Sequence, residues 1–320
     1  MMMSGMGVEA LAYLGRQTVR KTAATGNYHT LPFFSHTILP SEALTDERTL
    51  GIGQGRDPDS PDTDALTVGG DLVAPFYLHS IGHLLTMLLG NPVTTGTGGN
   101  FTHVWKSGQF GLPVYTLELQ TPRLDHTRRI DQVLDLMANT MQLQFATGGV
   151  ERATFGMMGA KVTKLTETGA GTPAGAPAPG TRLLRKARTI TVDGNAVARI
   201  VGGSLTYSNN LDPQTYLQNE VQEVDEGLST LTGSLDLRFD TDALLDKAAV
   251  GTPVGISTAW AIDANRSLTI AANTVRLQRT GLSITGPAGI QQSFQVRGEK
   301  TPADGAMLVV TLKNQTESYA

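Results

Sequence analysis

ANTMQLQ at residues 138–144 is answered by ANTVRLQ at residues 272–278, with five of the seven positions identical. The exchange of Met141 for Val275 keeps an apolar side chain, and only Gln142 against Arg276 changes chemical character. In both stretches apolar and polar residues alternate: Met141, Leu143 and Phe145 against Gln142 and Gln144, then Val275 and Leu277 against Arg276 and Gln278. Period two with one apolar face specifies a half-buried antiparallel strand. The same strand is therefore written twice.

Two further anchors keep the same order. VGGDLVAPF at 68–76 pairs with LTGSLDLRF at 231–239, and FGMMG at 155–159 pairs with FQVRG at 294–298. The separations of the three pairs are 163, 134 and 139 residues, so the first copy carries about 29 extra residues, expected near 101–136. Leu66, Val68, Gly70, Leu72, Ala74 and Phe76 share one face of the first strand, and Leu231, Gly233, Leu235, Leu237 and Phe239 repeat that face in the second. Each strand runs into a helical stretch, 78–90 and 241–251, that ends on glycine, and Asp240 or Thr241 is placed to cap the second. Further short strands are predicted at 114–120, 204–208, 266–271, 292–296 and 307–312.

The fold class read from this pattern is mainly β, with two tandem sandwich or barrel modules, each carrying a flanking α-helix. The first module spans 1–168, the Gly/Ala/Pro stretch at 169–181 is the linker, and the second module spans 182–320. Expected core residues are Leu72, Phe76, Met141, Leu143, Phe155, Leu235, Phe239, Val275, Leu277 and Phe294. Trp105 and Trp260 are expected to anchor their own modules. Two copies are too few for a solenoid, but they suit neighbouring positions in a ring.

Composition narrows the chemistry. A 320-residue chain with no cysteine contains no disulfide, thiol nucleophile or zinc–thiolate site. A net charge of −4 with 17% charged residues argues against general phosphate binding, which needs clustered Lys and Arg. The one dense basic cluster, Arg182, Arg185, Lys186 and Arg188, opens the second module as a solvated segment or as a contact for an acidic neighbour. No apolar run reaches the roughly 18–20 residues of a membrane span, and residues 1–21 lack a secretory signal pattern, so synthesis in the cytoplasm is expected.

Catalytic and metal motifs weigh little. His79 and His83 share a helix face, but no third ligand or HExxH glutamate accompanies them. GIGQG at 51–55 follows no apolar strand and lacks the Lys-Ser/Thr ending of a phosphate loop. Asp125, His126, Arg128, Arg129 and Asp131 form a mixed-charge run of surface-loop type. No catalytic residue, metal or cofactor is expected.

The order of motifs resembles the tail tube (major tail) proteins of bacteriophages with long, non-contractile tails. The resemblance rests on YLGRQT at 13–18, LPFFS at 31–35, VGGDLVAPF at 68–76, LLTMLLG at 84–90, FTHVW at 101–105, LPVYTLEL at 112–119, FGMMGAK at 155–161 and GPAGIQQSFQV at 286–296. It implies modules whose inner strands join those of neighbours around a lumen. It also implies ring stacking through long loops and terminal arms on a tape-measure protein, with tail terminator and distal tail proteins at the ends. DNA would pass through without specific binding or membrane insertion, and the chain would be a virion tail component assembled in the host cytoplasm. Sixfold rings of single modules imply three chains per ring here.

Acidic or neutral residues suit such a lumen; the candidates are Asp71, Glu118, Gln142, Gln144, Asp236 and Gln278, with Arg238 and Arg276 as departures. Matching polar loops at 45–64 and 209–226 supply inter-ring candidates: Asp46, Glu47, Arg48, Arg56, Asp57, Asp59, Asp212, Gln214, Glu220, Glu223 and Asp225. The competing reading is a β-sandwich carbohydrate-binding or adhesin module of a tail tip, which the 6% aromatic content disfavours.

Overall fold

The computed structural model describes residues 6–46, 57, 60–123, 125, 127–166, 178–196, 199–217, 220–282, 284 and 289–319. The first half runs β1 (Leu11–Arg16), β2 (Tyr28–Thr30), β3 (Ser35–His36), β4 (Leu39–Ser41), β5 (Leu44–Thr45), β6 (Asp62–Thr63) and β7 (Thr67–Pro75). It continues through α1 (Ser80–Leu89), β8 (Val93–Thr97), β9 (Asn100–Lys106), β10 (Tyr115–Pro122), β11 (Arg128–Phe145), β12 (Arg152–Gly159) and β13 (Lys161–Leu165). The second half runs β14 (Arg188–Val192), β15 (Asn195–Ala196), β16 (Ile200–Ser208), β17 (Asp212–Gln214), β18 (Glu223–Asp225) and β19 (Thr230–Arg238). After α2 (Ala243–Val250) come β20 (Val254–Asp263), β21 (Arg266–Leu277), β22 (Gln291–Gly298) and β23 (Val309–Asn314).

One antiparallel sheet runs the width of the molecule in the order β4, β7, β12, β11, β16, β19, β22, β21. Its middle strand, β11, is 18 residues long and serves two layers. Its first part pairs with β10 and β13, and its second part with β12 and β16. β21 does the same, pairing first with β20 and β23 and at its end with β22. The change of layer falls on the ANT triplets: pairing shifts between Ala138 and Thr140 in β11, and opposite Ala272 to Val275 in β21. A bulge adds a residue and bends its strand, which is how one strand leaves one sheet for another.

Pairing elsewhere matches closely. Leu72 of β7 faces Phe155 of β12, and Leu235 of β19 faces Phe294 of β22. Met141, however, faces Phe155, whereas Val275 faces Gly298, four residues away from the corresponding position. Six residues join β11 to β12 and thirteen join β21 to β22. A short turn locks the register of a hairpin, and a long one leaves it to side-chain packing.

The helices differ. Every residue of α1 is buried, whereas in α2 only Ala248 is. The residue before α2 is Asp242, with no side-chain cap, in place of the expected Asp240 or Thr241; Gly251 closes the helix at φ 77°. Leu72, Phe76, Met141, Leu143, Phe155, Leu235, Val275, Leu277 and Phe294 are buried in one core that draws on both halves. Phe239 departs from the expected core: it lies just past β19 and is only half-buried, since among the described residues no segment is bonded along 239–242 as residues 179–183 are along Phe76–His79.

The extra residues of the first half also need correction. About half of 101–136 forms β10 and the first half of β11, which stand where β20 and β21 stand in the second half; the added element is the β8–β9 hairpin, and β9 pairs with β23 of the other half. The tryptophans likewise bridge the halves: Trp260 packs on Phe76 at 4.9 Å, and Trp105 donates through Nε1 to Thr86 Oγ1 at 3.2 Å while its ring lies 5.7 Å from that of Tyr319.

The C-terminal segment closes over α1. Tyr319 is 2% exposed and donates its hydroxyl to His79 O at 2.9 Å, while Asn314 Nδ2 donates to Leu78 O at 2.6 Å. A Cβ on Gly82 would lie 2.2 Å from the Tyr319 ring, so only glycine admits it. His103 and His83 meet that ring edge-on at 4.7 and 4.9 Å, and His29 stacks on His83 at 3.8 Å. Burial, reinforced by His29, Arg16 and His79, pushes the His83 pKa well below its ordinary value; burial also lowers His29 and His103. Unfolded histidines take up protons near pH 6.5 while these folded ones do not, so stability is full above that pH and falls as pH drops below it. Stability from denaturant titration should fall between pH 7.5 and 5, by up to ~1.4 kcal/mol per pH unit below pH 6.5 for the fully buried His83. His83→Gln should flatten that slope; an unchanged slope would refute the assignment.

Candidate functional site

One face of the long sheet is mostly polar, with Val73 beside Thr154 and Leu39 beside Gly69 as apolar exceptions at its β7–β4 edge, and register aligns its side chains in rows. Thr154, Gln142, Thr206, Thr232 and Arg297 stand opposite one another in succession, ending at Arg276. A second row joins Gln144, Ser204, Ser234 and Gln295, and a third joins Asp71, Gly156, Thr140, Ser208 and Thr230. The reverse face carries Leu72, Phe155, Met141, Tyr207 and Leu231 in one such row, all buried. Alternation alone thus gives the sheet one dry face and one face of hydroxyls and amides.

Hydrogen bonds knit that face together. Ser204 and Ser234 hydroxyls lie 3.3 Å apart, Ser293 Oγ donates to Asp236 Oδ1 at 2.5 Å, and the Gly156 N–H donates to Thr140 Oγ1 at 3.2 Å. Gly233 permits close pairing, since a Cβ there would lie 2.2 Å from Ser204 O.

Asp71, Gln142 and Gln144 are exposed on this face, Asp236 is half-buried on it, and Gln278 lies exposed one residue past β21 with its N–H bonded to Gln295 O at 2.8 Å. Glu118 is a correction. It is 0% exposed, because β10 belongs to the second layer and is covered on both faces; its Oε1 accepts from Gln120 Nε2 at 2.9 Å. Arg276 does not stand free: its Nε donates to Glu299 at 2.7 Å and its Nη1 to Gly251 O at 2.7 Å, at the C-terminal end of α2 where a cation is favoured. Arg238 is exposed.

Among the loop candidates, Asp46 and Asp57 are exposed, while Glu47, Arg48, Arg56 and Asp59 lie outside the described residues, as do residues 51–55. Asp212, Gln214, Glu223 and Asp225 form the small β17–β18 hairpin, with Asp212 facing Asp225. Glu220 pairs with Lys161 at 2.9 Å. The basic cluster acts within the chain: Arg188 pairs with Glu151 at 2.9 Å and donates to Ala146 O at 3.0 Å, and Arg185 donates to Thr147 O at 2.5 Å, gripping the turn between β11 and β12. Burial raises the Glu151 carboxyl despite Arg188 beside it. In the mixed-charge run, Arg129 pairs with Asp131 at 2.7 Å, and Thr127 hydrogen bonds hold Asp125 below its ordinary pKa.

Sequence reading missed the Thr and Ser rows and also Asn209, which is 6% exposed. Its Nδ2 donates to Leu88 O at 2.8 Å and Ala138 O at 3.2 Å, and its Oδ1 accepts from Tyr207 at 2.9 Å. The only signal was its position directly after an alternating strand.

Among the described residues no helix is long and apolar enough to cross a membrane. No curated protein sequence matches the chain. The family model for phage tail tube proteins matches residues 7–298, nearly the whole chain, and the chain therefore belongs to the phage tail tube protein family.

Proposed function

We propose that three copies of this chain form a ring of pseudo-sixfold symmetry whose polar sheet face lines a lumen for DNA, and that such rings stack into the tail tube. The observation that carries this reading is the sheet itself. Within one chain, β7, β12 and β11 are followed across the β11–β16 seam by β16, β19, β22 and β21, and β7–β12 and β19–β22 pair in the same register. We read the two halves as copies of one module, 1–168 and 182–320. Repeating the seam between chains would continue the sheet in a closed, heterologous ring and use the edges left open at β4 and β21.

The wall chemistry fits a passage for a polyanion. Hydroxyls and amides fill most of the rows and give DNA phosphates little to bind; of the cations on this face Arg276 is engaged by Glu299, while Arg238 and Arg297 stand exposed without forming a dense cluster. No catalytic group is required. Tape-measure, terminator and distal tail proteins would meet the tube through its loops, including 45–64. The exposed aromatics among the described residues, Phe34, Phe110 and Tyr216, sit on three different loops, which does not favour a sugar-stacking platform.

Electron microscopy of the purified protein with light-scattering mass tests the ring: hollow rings of three chains are expected, and six chains per ring or a compact monomer at all concentrations would overturn the stoichiometry or the ring. The wall assignment has its own test. Gln142→Arg with Gln144→Arg should leave particle assembly intact but slow DNA ejection on the order of tenfold at low salt, with recovery at high salt. Unchanged ejection would remove these residues from the lumen.

A further inference from the structure

Residues 179–183 leave their own half and lie along Phe76–His79 of the other. Leu183 N–H donates to Phe76 O at 2.8 Å, Leu78 N–H to Thr181 O at 3.0 Å and His79 N–H to Pro179 O at 3.0 Å, with Tyr77 bridged to Arg182. Leu183 is 0% exposed and Phe76 1%. This segment enters a 3-10 turn, Arg185–Ala187, and then β14, whose Val192 faces Ile256 of β20.

The same turn and strand occur 178 residues earlier: a 3-10 turn at Gly7–Glu9 and then β1, whose Leu14 faces Leu117 of β10. Residues 1–6 therefore correspond to residues 179–184. The surface corresponding to Phe76–His79 is Phe239–Asp242, and it lies uncovered. Phe239 is half-buried, and among the described residues no backbone hydrogen bond reaches the Phe239 carbonyl or leaves the Thr241 and Asp242 N–H groups. Beside it lies a cavity of about 490 Å³ lined by Val192, Leu237, Asp240, Leu244, Lys247 and Gln292.

We propose that this cavity receives residues 1–6 of the next copy of this chain, laid along Phe239–Asp242 as residues 179–184 are laid along Phe76–His79. The inference rests on the ring reading above and names one of its contacts. Carbonyl and amide groups of the arm complete the unpaired backbone of Phe239, Thr241 and Asp242. The position of Leu183 falls on Gly5, so the apolar filling comes from Met3 or Met6, whose unbranched side chains adapt to an irregular hollow.

The chain has no cysteine, so engineered pairs give a clean readout. In the internal precedent Tyr77 stands opposite Arg182, and the corresponding pair is Asp240 and Ser4. Residues opposed in an antiparallel bridge lie within disulfide range. Oxidised rings of Ser4→Cys/Asp240→Cys should give covalent trimers that reductant dissolves, and mixed single variants should give covalent dimers. Ser4→Cys/Asn265→Cys should stay monomeric on the same gel. Met3→Asp/Met6→Asp, free of any cross-link, should raise the concentration needed for ring formation by at least about tenfold. Rings that form but do not cross-link, or that cross-link only within one chain, would overturn the arm while leaving the ring. Absence of rings in the unmodified protein would overturn both.

Discussion

Tyr319→Ala should destabilise the protein by about 3–5 kcal/mol, the range for deleting a fully buried aromatic side chain. The loss has two parts. The ring fills the space over Gly82 between His83, His103 and Trp105, and its removal leaves a cavity that α1 cannot close, being packed on every other side. The hydroxyl donates to His79 O and accepts from Asn314 Nδ2 at 2.6 Å, so these groups lose a partner in a dry site. Tyr319→Phe keeps the ring and should cost only about 1–2 kcal/mol. Denaturant titration of both variants separates packing from hydrogen bonding. A Tyr319→Ala cost below ~1 kcal/mol would mean that the C-terminal segment does not hold α1.

Asn209→Leu should cost about 2–4 kcal/mol, because it strips the Leu88 and Ala138 carbonyls and the Tyr207 hydroxyl of their partner at once. These groups belong to the end of α1, to the bulge of β11 and to β16, so one amide ties three elements at the seam between the halves. Asn139 completes the tie, accepting the Asn209 N–H at its carbonyl at 2.8 Å and the Leu211 N–H at its side chain at 2.9 Å. Its sequence counterpart Asn273 instead donates to Asp304 at 2.8 Å. Asn209→Leu should therefore open the seam to protease within 200–211 before the rest of the sheet is cut. Cleavage confined to other loops, at an unchanged rate, would contradict this.

Period two was readable in the chain wherever one face of a strand is buried and the other open. Gln142, Gln144 and Asp71 were therefore assigned to their observed face from alternation alone, and both helices were found by their closing glycines. Alternation says nothing about layer. Glu118 alternates like a wall residue, yet β10 is covered on both sides, so the polar face of that strand is interior. Phe239 reads as core because Phe76 is core; the difference lies in the covering segment, which sequence periodicity does not encode. The β8–β9 hairpin and Tyr319 act across more than 200 residues of sequence, through contacts that a local pattern cannot carry. The Thr and Ser rows are formed by pairing between strands far apart in the chain, so a pattern read along single strands does not align them.

The closure of α1 by Tyr319 also imposes an order on synthesis. Leu78 and Tyr319 are 241 residues apart, so at about 5–20 residues per second the ribosome completes the partner of this helix roughly 10–50 s after the helix itself emerges. During that interval the nascent chain carries an unfinished first half that waits for the segment around Tyr319. A product that stops short of Tyr319 never receives this contact, so the exposed side of α1 then stays open to proteases and chaperones.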